Sequence, residues 1–206
     1  YISPIEAEMR EILSVYGEIP LPPSIENNEI DQKRYQTVYA QNENSVAAPT
    51  AGLHITKEII DRCSGVGASV VTVNLNVGIG TFQPISTASL DEHVLPSERY
   101  SVEDDVWETI QKAKRVIAVG TTVVRTLESV ASSGRLEGRT ELYIKPGFQF
   151  RVVNSLLTNF HLPKSSLLVM IEAFMGKDWK NLYNLALKEG YRFLSFGDAM
   201  FIERGG

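Results

Sequence analysis

Residues 116–128 read VIAVGTTVVRTLE and set the architecture of the chain. The apolar run 116–119 predicts a short buried strand, and Gly-Thr-Thr at 120–122 turns it into a helix. The first turn of a helix has unpaired N–H groups and the positive end of the helix dipole, and both attract anions. We therefore expect Gly120, Thr121 and Thr122 to bind an anionic group of a ligand. The glycine and lysine spacing of a phosphate-binding P-loop is absent.

Arg125 lies near the start of the same helix, where a cation opposes the dipole. Its position is explained if the guanidinium meets a carboxylate or phosphate of a ligand. The alternative is an ordinary ion pair with Glu128 on the helix surface.

Predicted strands and helices alternate from residue 56 onward. The strands are 70–77, 116–119 and 156–160, while Thr56 and Ser165 can cap helices and a further helix spans 179–188. This alternation predicts an α/β fold with a mixed, largely parallel sheet and flanking helices. Residues 1–23 hold a predicted helix at 4–16 and a proline-rich connector, and residues 24–206 form the predicted core domain.

Composition limits the class of protein. The chain has 206 residues, of which 43% are hydrophobic and 22% charged, as in ordinary soluble domains. Its single cysteine, Cys63, excludes an internal disulfide and suits a reducing compartment. We find no signal peptide and no membrane-spanning apolar run, so we expect a cytoplasmic protein without a membrane partner. The net charge of −5 argues mildly against an RNA partner, although a local basic face can still bind phosphates.

Residues 157–163, LTNFHLP, follow a predicted strand, and ligands of α/β sheets gather where strands end. Asn159 and His161 alternate with Phe160, so an extended chain points both to the same side. His161 is then a candidate general acid or base. The alternative is a histidine bonded to the backbone at a loop corner.

Residues 47–54, AAPTAGLH, combine small side chains with Pro49 and Gly52, which permits a close backbone approach. They end in His54, to which the same two interpretations apply. Residues 191–198, YRFLSFGD, alternate aromatic and polar side chains around Arg192 and Asp198. That pattern suits stacking of a base and binding of a phosphate, or an edge strand with one face in the core.

Asp91, Glu92, His93 and Glu98 form a cluster of residue types that bind metals. However, the three histidines lie far apart, and no pair of His or Cys residues has the spacing of a zinc site. We therefore expect no metal.

Taken in order, these segments resemble the S-adenosylmethionine:tRNA ribosyltransferase-isomerases. The resemblance extends from about Gly17 to Ile202, and its order makes it specific where each segment alone is not. The matching runs are residues 35–39, 45–54, 78–82, 92–93, 119–128, 146–148, 157–163 and 191–200.

The resemblance implies an activity. Members of the family transfer and isomerise the ribosyl moiety of S-adenosylmethionine onto 7-aminomethyl-7-deazaguanine at the tRNA wobble position, giving epoxyqueuosine with release of adenine and methionine. It implies S-adenosylmethionine as co-substrate, tRNA as partner and no true cofactor, and we expect a monomer. A base must take a proton from the 5′ carbon that the sulfonium acidifies, and an acid must assist the departure of adenine.

The resemblance also implies roles for individual residues. The implied catalytic residues are His54, His93, His161 and Asp198. The implied substrate-binding residues are Thr50, Gly52, Gly80, Thr81, Gly120, Thr121, Thr122, Arg125, Glu128 and Asn159. Lys164 and Arg192 are assigned to the RNA.

The chain departs from the family pattern at two positions. Asn76 and Pro96 stand where, or near where, the family commonly has histidine. The family's N-terminal part, with an inserted β-rich domain, is also expected to be missing, and residues 1–23 would be its tail. Two alternatives therefore stay open, a nucleoside hydrolase and a non-catalytic RNA-binding member of the family.

Overall fold

The structure is a computed structural model that describes residues 11–12, 15–16, 21, 34–41, 47–77, 85–87 and 89–204. Its helices are α1 (Lys57–Gly65), α2 (Asp104–Lys112), α3 (Thr121–Ser133), α4 (Ser166–Met175) and α5 (Trp179–Lys188), with 3₁₀ helices at Thr50–His54, Leu90–Glu92 and Gly176–Asp178. Its strands are β1 (Asn74–Asn76), β2 (Glu98–Ser101), β3 (Ile117–Val119), β4 (Glu137–Thr140), β5 (Ser155–Asn159) and β6 (Ala199–Glu203). Residues 11–12 and 15–16 are helical, and the rest of the predicted helix 4–16 lies outside the described residues.

The strands form two three-stranded sheets with the orders β1-β2-β4 and β3-β5-β6. In the second sheet β3 runs parallel to β5, with Val119 opposite Leu157, and β6 runs antiparallel to β5, with Ala199 opposite Asn159. Both pairings of the first sheet are antiparallel. The predicted α/β class is confirmed.

The prediction of a largely parallel sheet is wrong for the described strands, because β3–β5 is their one parallel pair. The sequence shows the alternation of elements but not the direction in which each strand returns. Two helices, α4 and α5, separate β5 from β6, whereas a parallel return normally uses a single crossover helix.

Local sequence explains where several helices begin and end. The Thr56 hydroxyl accepts a hydrogen bond from the N–H of Ile59, and the Ser165 hydroxyl accepts one from the N–H of Leu168, so both predicted caps are confirmed. Gly120 precedes α3 with a φ of 96°, and Gly134 follows it with a φ of 70°, both in the left-handed region that favours glycine.

The main apolar core lies between the second sheet and the helices α3, α4 and α5. Ala118, Leu127, Leu156 and Ile171 are among its fully enclosed residues. A smaller cluster of Tyr100, Val102 and Val130 lies under the first sheet. This packing fixes the ends of β3 and β5, where the candidate site lies. No helix in the described residues is both long and apolar enough to cross a bilayer.

Candidate active site

The carboxyl ends of β3 and β5 meet at one edge of the second sheet. The N–H of Gly120, which follows β3, donates to the carbonyl oxygen of Leu157 at 2.8 Å. Asn159 ends β5 and is only 2% exposed. A side chain added at Gly120 would contact the side chain of Ala51, so the 3₁₀ helix 50–54 packs on this turn. Three predicted segments therefore meet at the edge where ligands of α/β sheets bind.

Asn159 joins two predicted site residues of the 3₁₀ helix. The Thr50 hydroxyl donates to Asn159 Oδ1 at 3.3 Å, and Asn159 Nδ2 lies 3.0 Å from His54 Nε2. Both partners are half-buried, whereas the amide between them is buried. The result is a hydrogen-bonded chain from a hydroxyl through an amide to an imidazole.

Asp198 lies beside this chain, one residue before β6. Its carboxylate accepts hydrogen bonds from the Arg192 backbone N–H at 2.7 Å and from the Arg192 guanidinium at 2.9 Å. These hydrogen bonds hold the pKa of Asp198 below its usual value, and the charge of His54 acts in the same direction. The fold thus brings together five side chains as a candidate site that offers acid–base groups and groups able to bind an anion. These side chains are Thr50, His54, Asn159, Arg192 and Asp198.

His161 has different surroundings from Asn159. Its Nε2 lies 3.1 Å from the Thr158 hydroxyl, and its backbone N–H donates to the Tyr183 hydroxyl at 3.0 Å. The residue keeps intermediate exposure, but burial of the imidazole lowers its pKa to about 4. His161 is therefore neutral near pH 7, where it can exchange hydrogen bonds but does not carry a proton as a cation.

Arg125 is 5% exposed and forms an ion pair with Glu98, which is 3% exposed. Its guanidinium also donates to the carbonyl oxygens of Leu142 at 3.1 Å, Pro96 at 3.1 Å and Thr140 at 3.3 Å. Burial lowers the pKa of Arg125, and the charge of Glu98 opposes that effect. These contacts join α3 to the first sheet, and the role of Arg125 as a ligand anchor stays a prediction.

Glu128 does not pair with Arg125 on the helix surface. Its side chain is fully buried, and its carboxylate accepts the backbone N–H groups of Arg151 at 2.9 Å and of Val152 and Val153 at 3.0 Å each. The geometry gives Glu128 a structural task, namely holding the segment that leads into β5.

A small cavity of about 30 Å³ lies beside Arg125. A cavity of this size holds water but not a nucleoside. The role of Gly120, Thr121 and Thr122 as an anion site stays a prediction. The cavity is lined by Leu75, Leu95, Glu98, Thr121, Thr122, Arg125, Tyr143, Ile144, Ser166, Leu167 and Met170.

The remaining predicted residues lie elsewhere or outside the described chain. The ring of His93 packs edge-on against Tyr143, with centroids 5.4 Å apart. Lys164 is exposed, with a φ of 57°. Gly80 and Thr81 lie outside the described residues.

The two departures from the family pattern both lie near the first sheet. Asn76 pairs with Arg99 in the β1–β2 ladder, and the carbonyl of Pro96 accepts a bond from Arg125. The acidic cluster is divided, because Asp91 pairs with Lys145 and Glu98 with Arg125. No group of three potential metal ligands occurs in the part of the chain that the structure describes.

Sequence reasoning missed the contribution of two aromatic residues. Tyr183 on α5 anchors the backbone of His161, and Phe196 lies under the Arg34 guanidinium, 5.1 Å from its carbon to the ring centroid. Phe196 borders a second cavity of about 190 Å³ next to Gly52 and Leu53. The alternation in residues 191–198 was the available signal for Phe196, and no local signal marks Tyr183.

A family model described as queuosine biosynthesis protein matches residues 2–202. The chain belongs to this family. The curated relatives that it matches include three named S-adenosylmethionine:tRNA ribosyltransferase-isomerase. The relative from Natranaerobius thermophilus is 48% identical, over 96% of this chain and 60% of the relative. The relative from Carboxydothermus hydrogenoformans is 50% identical, over 93% of this chain and 59% of the relative.

A solved member of the same family shares the fold. The crystal structure of S-adenosylmethionine tRNA ribosyltransferase from Thermotoga maritima is 39% identical, with a TM-score of 0.62. The match covers 74% of this chain and 51% of that one. The chain thus spans about 60% of the length of the curated relatives, and the resemblance inferred from its motifs is confirmed.

Proposed function

We propose that this chain carries the catalytic core of an S-adenosylmethionine:tRNA ribosyltransferase-isomerase. The ribosyl moiety of S-adenosylmethionine passes to 7-aminomethyl-7-deazaguanine at the tRNA wobble position, and adenine and methionine leave. S-adenosylmethionine is a co-substrate, tRNA is the partner and the cytoplasm is the compartment. The names of the relatives support this proposal, as does the membership of the family.

The observation that carries the proposal is the juxtaposition of His54, Asn159 and Asp198 where β5 ends and β6 begins. The reaction needs a base for the 5′ proton, and His54 is a half-buried imidazole in a polar cluster. We assign this step to His54. Asp198, paired with Arg192, is ionised near pH 7 and can orient the substrate amine.

For the other residues that the resemblance assigns to the site, we propose more limited roles. His161 serves as a neutral hydrogen-bonding group, because its low pKa excludes a resident cation near pH 7. Arg125 and Glu128 fix the elements next to the site, through the buried ion pair of Arg125 with Glu98 and the buried hydrogen bond from the Val153 N–H to Glu128. Lys164 and the exposed guanidinium of Arg192 are proposed RNA contacts, while a role for His93 stays a prediction.

The test is incubation of the chain with S-adenosylmethionine and tRNA that carries the aminomethyl-deazaguanine base. Mass analysis of the nucleosides should show epoxyqueuosine, with adenine and methionine in solution. His54→Gln should slow the transfer about 10²–10⁴-fold, the usual contribution of a general base. Lys112→Gln, on the exposed surface of α2, is the control and should leave the rate unchanged.

Other outcomes would overturn the proposal in distinct ways. Adenine release without transfer to tRNA would indicate a nucleoside hydrolase. Binding of tRNA without consumption of S-adenosylmethionine would indicate a non-catalytic RNA-binding protein.

A further inference from the structure

The side-chain amide of Asn159 lies in a position where both of its ends must find partners. The residue is 2% exposed, so water cannot satisfy the amide. One end meets the Thr50 hydroxyl at 3.3 Å and the other meets His54 Nε2 at 3.0 Å. One end of the amide therefore faces each neighbour, and the orientation of the amide determines whether a hydrogen-bond donor or an acceptor faces the imidazole.

The two orientations of the amide demand different tautomers of His54. With Nδ2 facing the ring, Nε2 must accept a hydrogen bond, and the neutral ring carries its proton on Nδ1. With Oδ1 facing the ring, Nε2 must donate, and Nδ1 is left with a lone pair. A lone pair on Nδ1 can take a proton, whereas an Nδ1–H group can only donate one.

Thr50 makes both orientations tolerable. Its hydroxyl can donate to Oδ1 in the first orientation or accept from Nδ2 in the second. A residue that only donates or only accepts would lock the amide in one orientation. The hydroxyl lies 109 residues away from the amide in sequence, so this pairing depends on the folded site.

We propose that Asn159 is a positioning residue that sets the tautomer of His54 and thereby decides whether its Nδ1 acts as proton donor or proton acceptor, while the Thr50 hydroxyl can serve either orientation of the amide. In the orientation that the structure shows, Nδ1 carries the proton. A half-turn of the amide converts His54 to the base form that proton abstraction requires. The catalytic use of this base form rests on the proposed function, whereas the tautomer itself does not.

Among the described residues, Asp198 is a charged group whose electrostatic field reaches His54, and its carboxylate is paired with Arg192. The carboxylate favours an N–H group directed at it. The neutral amide is therefore the group best suited to switch between the two ring forms at constant charge.

The experiment reads ring nitrogens directly, by NMR of the chain with ¹⁵N-labelled histidine. The chain has three histidines, and the signals lost in His54→Gln identify those of His54. We expect neutral His54 to carry its proton on Nδ1 in the unmodified chain. In Asn159→Asp both oxygens only accept, so Nε2 should retain a proton and the tautomer should reverse. The same tautomer in both proteins would overturn the proposal.

A second test of the amide avoids a buried charge. Asn159→Leu keeps the approximate size of the side chain but offers no hydrogen bond to the ring, so neutral His54 should populate both tautomers and its signals should move toward their average. Thr50→Val removes a hydroxyl that serves either orientation of the amide, so it is the matched control and should leave the tautomer unchanged. Signals of His54 in Asn159→Leu that equal those of the unmodified chain would overturn the proposal, and they stay readable if Asn159→Asp does not fold.

The two proposals fail separately. If the tautomer responds as expected but no ribosyl transfer occurs in the unmodified chain, the proposed function is wrong and the positioning role stands. If transfer occurs and the tautomer does not respond to either substitution of Asn159, the positioning role is wrong and the function stands.

Discussion

His161 links the stability of the protein to pH. Burial lowers its pKa from 6.5 to about 4 in the folded chain, so the unfolded chain binds a proton more readily between these values. The contribution of neutral His161 to the free energy of unfolding is therefore fully present above about pH 6.5 and is lost as the pH falls toward 4. The same burial keeps the ring neutral where the proposed chemistry operates.

We predict that the chain loses about 2 kcal/mol of unfolding free energy from this one group between pH 7 and pH 5. His161→Gln should remove that share of the pH dependence, because glutamine does not titrate. Urea unfolding of both proteins at the two pH values measures the difference. Equal pH dependence in the two proteins would show that the imidazole titrates as it does in water.

The sequence identifies which residues are candidates for the site, but it does not identify the partner of each side chain. His54, Asn159 and Asp198 were predicted because their segments match the family pattern in order, and the structure places the three side chains near one another. Arg125 and Glu128 were predicted as ligand contacts, but their partners lie 27 and 23–25 residues away in sequence. Sequence shows that a charge is present, and only the packed structure shows which buried group neutralises it.

At the scale of elements, Glu128 attaches α3 to the segment before β5. Three backbone N–H groups of that segment, at residues 151–153, donate to one carboxylate. These N–H groups belong to no strand, so the side chain replaces the ladder that a sheet would supply. The entry of the chain into β5 therefore depends on a single residue of a helix.

We predict that Glu128→Gln destabilises the protein by about 1–3 kcal/mol, because one end of the amide then presents a donor to a backbone donor. Urea unfolding measures the loss, and hydrogen exchange should accelerate at the amides of residues 151–153. Glu108→Gln on the exposed face of α2 is the control and should change stability by less than about 0.5 kcal/mol. Exchange that accelerates over the whole chain equally, with no excess at 151–153, would contradict the local role.

Elements with local signals were predicted well. Helix α5 has the predicted bounds of 179–188, and the caps at Thr56 and Ser165 depend on contacts within three residues. Strand β4 was missed because its sequence, Glu-Gly-Arg-Thr, lacks apolar alternation and it forms only by pairing with β2. Strand direction was also beyond reach, since it depends on how connections pack in three dimensions.

At the scale of the whole molecule, the two cores are continuous. The partly buried side chains of Val73, Val106 and Trp107 pack against both the main core and the smaller cluster under the first sheet. Trp179, in contrast, packs against the main core, edge-on to Tyr183 with centroids 5.5 Å apart. The two tryptophans of the chain thus report on different parts of one packed interior.

We predict one cooperative unfolding transition. Trp179→Phe leaves Trp107 as the fluorescent probe, and Trp107→Phe leaves Trp179. Within each variant, the fluorescence midpoint in urea should coincide with the midpoint from circular dichroism, which follows all helices. A tryptophan signal that changes at a lower urea concentration than the helical signal would mean that the two sheets unfold separately.

The separation of the site residues along the chain has a consequence for the order of synthesis. His54 and Asn159 are 105 residues apart, and Asp198 follows only after α4 and α5. A ribosome releases the chain from its N-terminus, so residues 50–54 emerge long before their partners exist. The site therefore assembles only after β6 has emerged and can close the sheet, and shorter nascent chains have the histidine without the groups that would activate it.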